Sequence, residues 1–189
     1  MGTSLSFAEL GHLSDCVAHW LVHVHQLQPG DRVALMLPNL LQFPVVALGV
    51  LKARGVLVNI NPLYTPYEIQ SQLQDSGANL MIVLANVANN AAGAIPTTSV
   101  RKVVVTEVGD LLGPVKGRLT NLVVRYVKQL IKPAHFSAVT SLRDVLQQGA
   151  ARMQQAAPLA TGFSLDDLAV LQYTGGTTGI MKGAMLSHR

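Results

Sequence analysis

Our interpretation of the fold depends on the stretch Leu168-Ala-Val-Leu-Gln-Tyr-Thr-Gly-Gly-Thr-Thr-Gly-Ile-Met-Lys-Gly-Ala-Met-Leu-Ser-His-Arg189. Its two apolar runs, 168–171 and 184–186, predict strands on either side of a segment rich in glycine and threonine. Glycines let the backbone turn sharply and bring its N–H groups close to an anion. Threonine hydroxyls add hydrogen-bond donors, and a lysine adds a positive charge for phosphate oxygens. The stretch therefore predicts a strand–phosphate loop–strand unit over residues 168–187.

The candidate phosphate-binding residues are those of the loop and its two ends. They are Tyr173, Thr174, Gly175, Gly176, Thr177, Thr178, Gly179, Ile180, Met181, Lys182, Gly183 and Ala184. The loop is not a Walker P-loop, because Met181 precedes Lys182 where that motif requires glycine. The chain also contains no G-x-G-x-x-G dinucleotide fingerprint. An ordinary glycine- and threonine-rich hairpin turn is the structural alternative.

The composition is unusually apolar. Charged residues make up 13% of the 189 residues and apolar residues 49%, whereas charged residues make up roughly 25% of an average domain. The longest uncharged run, 33–51, approaches the length of a membrane span, but Pro38-Asn39 and Pro44 interrupt it. We therefore expect a buried strand followed by a buried helix there. The single cysteine, Cys16, excludes a disulfide framework and predicts a reducing compartment.

Apolar runs alternate with helical patterns over the first hundred residues. Strands are predicted at 32–37, 56–60, 80–84 and 100–106, with an ill-defined alanine- and asparagine-rich link before the last. Capping boxes at Ser6–Glu9 and Thr65–Glu68 open two helices, and a third helix is predicted at 43–54, with Gly55 at its C-terminal end. This alternation predicts an α/β fold, a doubly wound and mostly parallel sheet with flanking helices.

Three histidines lie on one side of the first predicted helix. The helical spacing puts His12, His19 and His23 opposite the apolar stripe, which predicts a solvated histidine face. His19 and His23 are spaced to share a metal ion, but the sequence offers no third ligand.

The loop resembles the signature loop of the adenylate-forming ligase superfamily, which includes acyl-CoA synthetases, luciferases and peptide-synthetase adenylation domains. Residues 173–183 and the pair Ser187-His188 match that signature, with Met181 where proline is usual. The runs 30–39, 58–66 and 75–78, together with the Gly-Gly form of the loop, resemble the bacterial long-chain fatty acid–CoA ligases within the superfamily. The resemblance covers essentially the whole chain.

The resemblance implies a two-step reaction. A fatty acid carboxylate attacks the α-phosphate of Mg·ATP, and CoA then displaces AMP from the acyl-adenylate. It also implies that the loop holds the β- and γ-phosphates, that Thr174 approaches the Mg²⁺ ion, and that the protein is cytoplasmic. One alternative is that the substrate is a medium-chain, aryl or amino acid. The other is a truncated, non-catalytic module that binds a membrane or a partner protein.

Ligases of this kind run to several hundred residues. The resemblance therefore implies that residues 1–189 are an incomplete N-terminal domain, with the C-terminal domain and its catalytic lysine absent. CoA would be bound largely by the missing part, and we expect this chain alone to form no acyl-CoA. The apolar composition is consistent with an incomplete domain, because apolar surfaces that pack against the missing part would be exposed in this chain.

Residues 107–140 interrupt the α/β pattern as an inserted basic amphipathic segment. Its apolar residues recur at helical spacing: Leu119, Leu122, Val123, Tyr126, Val127, Leu130 and Ile131. Around them are the basic residues Lys116, Arg118, Arg125, Lys128 and Lys132. Between 101 and 132 there are seven basic and two acidic residues, a net +5, against +4 for the whole chain.

Such a helix is typical of a membrane-surface or partner-binding segment. We expect peripheral contact of the five basic side chains with the anionic inner face of the membrane. The alternative is a core-facing helix with a basic outer face. Nucleic acid binding is disfavoured, because no aromatic interleaving or recognition motif is present. The sequence does not predict the oligomeric state.

Overall fold

A seven-stranded sheet forms the centre of the computed structural model, which describes residues 2–160, 162–174 and 181–189. The spatial order is β5-β4-β3-β1-β2-β6-β7. All neighbouring strands run parallel except β6 and β7. The strands are β1 Arg32–Met36, β2 Val56–Asn59, β3 Leu80–Leu84, β4 Lys102–Thr106, β5 Val139–Ser141, β6 Leu168–Thr174 and β7 Lys182–Ser187. The predicted α/β fold with a mostly parallel sheet is confirmed.

Helices cover both faces of the sheet. They are α1 Phe7–His23, α2 Gln42–Lys52, α3 Pro66–Ser76, α4 Ala88–Ala94, α5 Pro114–Leu122 and α6 Leu142–Gln155. Helices α1, α2 and α6 share one hydrophobic core with the sheet, and α3 and α4 share the other. Helix α4 forms within the alanine- and asparagine-rich link to which the sequence assigned no structure.

The central strands are apolar at successive positions because both of their faces are covered. In β1, Val33 and Leu35 belong to the core beneath α1, α2 and α6, whereas Ala34 and Met36 belong to the core beneath α3 and α4. All five residues of β3 are buried. Residues 33–51 form β1 and α2, as expected, and no helix in the described part of the chain is long and apolar enough to cross a bilayer.

Local capping signals are confirmed at both predicted sites. The Ser6 hydroxyl accepts a hydrogen bond from the Glu9 amide at 3.2 Å, and the Glu9 carboxylate accepts one from the Ser6 amide at 2.8 Å. Thr65 and Glu68 form the same reciprocal pair at the start of α3. These bonds satisfy amide donors that a helix leaves without internal partners.

The prediction for Gly55 is wrong. The left-handed residue after α2 is Arg54, with φ of 61°, and Gly55 itself is not in that region. Gly55 instead lies in a tight contact, because an added Cβ would lie 3.0 Å from Leu27 Cδ2 and 3.1 Å from Val50 Cγ1. Gly55 thus follows the left-handed residue: its amide donates to the Val50 oxygen at 2.9 Å, and it packs closely in the turn from α2 to β2.

The basic segment differs from its prediction in two ways. Helix α5 continues as a π-helical turn, Val123–Val127, and the chain then turns at Gln129, whose φ is 49°. Two members of the predicted stripe, Leu130 and Ile131, therefore lie beyond the helix. The segment also ends in β5, a three-residue edge strand that pairs with β4, which no sequence pattern indicated.

The prediction of a solvated histidine face is wrong for His19. Only 7% of that residue is exposed, and its Nδ1 atom is buried without a hydrogen-bond partner. Burial lowers the pKa of His19, and the nearby His23 lowers it further, against the opposing effect of Asp15. The buried stripe of α1 is thus wider than the apolar spacing predicted, because α1 packs against both α2 and α6.

Close approach between α1 and α6 depends on one glycine. A Cβ added at Gly149 would lie 1.9 Å from the carbonyl oxygen of Cys16, a separation that no real Cβ occupies. Helix α1 contacts α2 in a similar way at Gly49, where an added Cβ would lie 2.5 Å from Val17 Cγ1. Two glycines thus let α1 sit close to the helices on either side of it.

We predict that Gly149→Ala destabilises the protein by about 2 kcal/mol, because the methyl group forces α6 away from α1. The free energy of unfolding in urea measures this. The matched control is Gly11→Ala within α1, where nothing lies within 4 Å of an added Cβ. There the higher helix propensity of alanine should stabilise the protein by up to about 1 kcal/mol. Equal effects of the two substitutions would contradict the packing argument.

Candidate functional site

Strands β6 and β7 bring two of the predicted phosphate-binding side chains together. Thr174 ends β6, Lys182 begins β7, and the two residues are direct partners in the antiparallel register. Both are exposed. Side chains of such partners point to the same face and lie about 5 Å apart at Cβ. A hydroxyl donor and an ammonium group therefore share one end of the hairpin, where they can meet an anion.

Seven of the predicted residues lie between these two, and six of them are not described. Gly175, Gly176, Thr177, Thr178, Gly179 and Ile180 fall outside the described residues, so their contacts with phosphate stay predictions. Met181 is partly buried just before β7. Ala184 is exposed and pairs with Gln172 of β6.

Tyr173 has a different environment from its neighbours. Only 7% of it is exposed, and its phenol hydroxyl donates a hydrogen bond to the Asp75 carboxylate at the end of α3. Its ring lies over Gly183, the partner residue in β7, where an added Cβ would be 3.0 Å from Cζ. The side chain of Tyr173 thus contacts α3 and β7, and its hydroxyl is already engaged by Asp75.

The ionisation of Tyr173 reflects these contacts. Burial, and then the hydrogen bond to the Asp75 carboxylate, raise the pKa of Tyr173 well above the ordinary value for tyrosine. The positive charge of Arg32 opposes the shift. The phenol is therefore neutral throughout the physiological pH range and acts as a hydrogen-bond donor there.

Amide side chains also hold β6 to its neighbours. Asn59 of β2 donates from Nδ2 to the Gln172 side-chain oxygen at 2.8 Å. Gln72 of α3, which is 1% exposed, donates from Nε2 to the Asn59 backbone oxygen at 2.6 Å. This chain of bonds joins α3, β2 and β6 just before the predicted phosphate loop begins.

A cleft of about 550 Å³ opens beside this end of the hairpin. The carboxyl ends of β1, β2 and β6 form its floor, with Leu37, Asn59 and Gln172 among the lining residues. The chain leaves β1 toward α2 on one face of the sheet and leaves β2 toward α3 on the other. Such divergence creates the crevice in which ligands of doubly wound folds bind. The cleft volume is also in the usual range for small-molecule sites, roughly 300–1,000 Å³.

Metal binding is supported by little side-chain chemistry here. Across 2–160, 162–174 and 181–189, no three His, Cys, Asp or Glu side chains come together as a metal site. The Thr174 hydroxyl is an oxygen donor of the kind that Mg²⁺ accepts. Its role as a ligand of Mg²⁺ stays a prediction.

Sequence reasoning missed the residues that hold the hairpin from outside. Asp75 lies in the run 75–78 that supported the resemblance, but no role was assigned to it. Asn59, Gln72 and Gln172 were not singled out either. Asp75 and Tyr173 are 98 residues apart, and no local spacing pattern connects such positions.

Comparison with known proteins identifies the group to which the chain is related. A family model described as "AMP-binding enzyme" matches residues 1–189. The chain is 47% identical over 189 residues to the long-chain-fatty-acid–CoA ligase of Salmonella typhimurium, covering all of this chain and 33% of that protein. It thus spans about a third of the length of the curated relatives it matches.

Solved structures of low identity share the fold. One is a long-chain-fatty-acid–CoA ligase from Archaeoglobus fulgidus, with TM-score 0.72 and 23% identity, covering 100% of this chain and 31% of that one. Another is a carboxylic acid reductase didomain from Segniliparus rugosus in complex with AMP, with TM-score 0.76 and 22% identity, covering 99% and 26%.

We predict that Tyr173→Phe changes how stability depends on alkaline pH. Because the pKa of Tyr173 is raised in the folded state, the unfolded chain loses this proton first, at about pH 10. The wild-type free energy of unfolding should therefore fall as pH rises above about 10. Tyr173→Phe lacks this contribution, so its stability should fall less steeply over the same range.

Urea unfolding at pH 8, 9.5 and 10.5 measures the difference. Tyr67→Phe is the control, because Tyr67 is 79% exposed and its removal should leave the pH dependence unchanged. Parallel pH profiles for wild type and Tyr173→Phe would contradict the buried, Asp75-bonded phenol.

Proposed function

The chain belongs to the AMP-binding enzyme family, and we propose that it provides the ATP phosphate-binding part of a long-chain fatty acid–CoA ligase. The observation that carries this proposal is the direct pairing of Thr174 with Lys182 at the open end of the β6–β7 hairpin. The adjacent cleft at the carboxyl ends of β1, β2 and β6 supports it as a place for the nucleotide or the acid. The names of the relatives support a long-chain fatty acid as the substrate.

The proposed reaction has two displacements. A carboxylate oxygen of the fatty acid attacks the α-phosphorus of ATP, the bond to the β-phosphate oxygen breaks, and pyrophosphate leaves with that electron pair. The product is an acyl-adenylate. The CoA sulfur, having lost its proton, then attacks the acyl carbon, and AMP leaves to give acyl-CoA.

The residues of this chain act mainly by charge and position. The Lys182 ammonium would neutralise charge on the departing pyrophosphate, and the Thr174 hydroxyl would donate to one of its oxygens. Stabilising charge as it develops on a leaving group is one of the largest contributions to catalysis. Tyr173 contributes by orientation, since its hydroxyl is bonded to Asp75.

The proposed reaction also requires Mg²⁺ and CoA. Thr174 would be the protein ligand of Mg²⁺, and the ion would supply positive charge that offsets the charge of the triphosphate. No residue described here is assigned to CoA.

Another acid is the alternative substrate. An aryl or amino acid would use the same phosphate chemistry, because the hairpin does not contact the acyl group in this scheme. Acid-dependent exchange of pyrophosphate into ATP, by a protein that contains this chain, distinguishes oleate from benzoate and from amino acids.

We predict that Lys182→Ala weakens binding of Mg·ATP and of Mg·pyrophosphate to the chain about tenfold, the effect of losing one charged hydrogen bond at an exposed site. Isothermal titration calorimetry measures both affinities. The control is Lys128→Ala, which removes the same charge from an exposed position far along the chain and should leave both affinities unchanged. Equal affinities for Lys182→Ala and wild type would contradict the phosphate site.

A chimera tests ligase function directly. The segment of the Salmonella typhimurium enzyme that aligns with residues 1–189 is replaced by this chain, and oleate-dependent AMP release is measured. We expect activity in the chimera and its loss with Lys182→Ala. A folded chimera that binds ATP but forms no oleoyl-CoA would favour the non-catalytic alternative.

Membrane contact is a second candidate role, which one observation favours. Helix α5 and the π-helical turn expose apolar side chains in place of packing them into the core. Leu119 is 62% exposed, Leu122 53% and Tyr126 68%. Exposed apolar side chains can insert into a membrane surface, and the basic side chains of Arg118, Lys128 and Lys132 are attracted to anionic lipid. We therefore propose that the protein lies in the cytoplasm at the inner face of the membrane. Among the five basic residues predicted to contact the membrane, Arg125 pairs with Glu107, and Lys116 donates to Thr3.

We predict that the chain sediments with vesicles containing anionic lipid and that added salt weakens this binding. The triple variant Leu119→Ser, Leu122→Ser and Tyr126→Ser should lose most of it, and Lys128→Glu with Lys132→Glu should lose it as well. Arg101→Glu with Arg152→Glu is the control for charge alone, because both residues are exposed outside this helix. Equal sedimentation of all variants would contradict the membrane role.

A further inference from the structure

The side chain of Tyr173 connects three elements: the two strands of the β6–β7 hairpin and helix α3. Tyr173 belongs to β6, its ring covers Gly183 of β7, and its hydroxyl bonds to Asp75 of α3. Gly183 allows the ring to lie this close, because an added Cβ would be 3.0 Å from Cζ and 3.2 Å from Cε2, tighter than most Cβ contacts. The hairpin is thereby fastened to α3 on the face of the sheet that α3 covers.

The two residues in this contact are the immediate neighbours of the side chains proposed to bind phosphate. Tyr173 precedes Thr174, and Gly183 follows Lys182. Successive side chains of a strand point to opposite faces, so holding Tyr173 toward α3 turns Thr174 to the other face. The same face of β6 carries Gln172, whose side chain is bonded to Asn59. Both faces of β6 are therefore anchored where the loop begins.

The location of Asp75 indicates that its carboxylate serves this contact. Asp75 is the second-last residue of α3, and a negative charge at the C-terminal end opposes the helix dipole. Helix stability alone would therefore favour a neutral residue there. A phenylalanine at position 173 would also fill the space beside Gly183 without needing any polar partner.

We infer that Asp75 is a positioning residue of the phosphate site, which acts through the Tyr173 hydroxyl to fix Thr174 and Lys182 for the triphosphate. This inference rests on the proposed function. The group it positions is a nucleoside triphosphate or the pyrophosphate that leaves from it. Asp75 itself contacts neither, so its effect should appear only when Tyr173 can transmit it.

A double-mutant cycle tests this coupling. Asp75→Ala and Tyr173→Phe should each weaken Mg·ATP binding to the chain about tenfold, the effect of one charge-assisted hydrogen bond. Because both substitutions break the same bond, the double variant should bind no more weakly than either single variant. Asp75→Asn keeps a neutral acceptor for the phenol and should recover part of the affinity. Tyr67→Phe on the same helix is the control and should bind like wild type.

Hydrogen–deuterium exchange without nucleotide provides a readout that does not depend on ATP. Asp75→Ala and Tyr173→Phe should each speed exchange at the β7 amides, residues 182–187, about tenfold, with β1 and β3 unaffected. Thermal unfolding of each variant shows whether the whole fold has been weakened instead.

The outcomes separate this inference from the proposed function. If wild type binds no ATP or pyrophosphate, the proposed function fails, and exchange at β7 decides whether Asp75 fixes the hairpin. If wild type binds and both single variants bind equally well, the inference is overturned and the proposed function survives. Effects that multiply in the double variant would also overturn it, since Asp75 would then act without Tyr173.

Discussion

The fold depends on covering a parallel sheet from both sides. Each central strand has helices over both faces, so β1 and β3 must be apolar at nearly every position. The close approach of α1 to α2 and α6, at Gly49 and Gly149, completes the cover on one side. Because the strands are parallel, their carboxyl ends meet at one edge, and the cleft at β1, β2 and β6 forms there. The constraint that determines the core thus also locates the candidate site.

The hairpin is the exception to this arrangement. Strand β7 is antiparallel to β6, lies at the edge of the sheet and is exposed at most positions. A two-stranded hairpin alone is marginally stable in water. Strand β6 gains stability from its parallel pairing with β2 and from side-chain bonds on both faces. At this edge of the sheet, polar contacts therefore supply stability that apolar packing supplies in the centre. They leave the end of the hairpin exposed, where a ligand can bind.

Local signals account for what could be predicted from the sequence. The capping boxes at Ser6 and Thr65 are confirmed because both partners lie within one turn of helix. Strands β1 to β4 are buried apolar runs and were predicted with small errors at their ends. Helix α4 and strand β5 were not predicted, because an alanine- and asparagine-rich link and a three-residue strand carry little pattern. His19 was placed on a solvated face because the spacing of apolar residues in α1 does not show that both α2 and α6 pack against this helix.

In the candidate site, too, local features could be predicted from the sequence and long-range contacts could not. The phosphate-binding residues were predicted from their types alone, since glycine, threonine and lysine carry such chemistry themselves, and their role stays a prediction. The contacts that orient them could not be predicted, because Asp75 and Asn59 act through long-range bonds to Tyr173 and Gln172. A carboxylate at the unfavourable end of α3 is explained once its partner is known. Candidate ligand-binding residues can thus be proposed from local sequence, whereas the residues that contact them from other elements become visible only when the fold brings distant segments together.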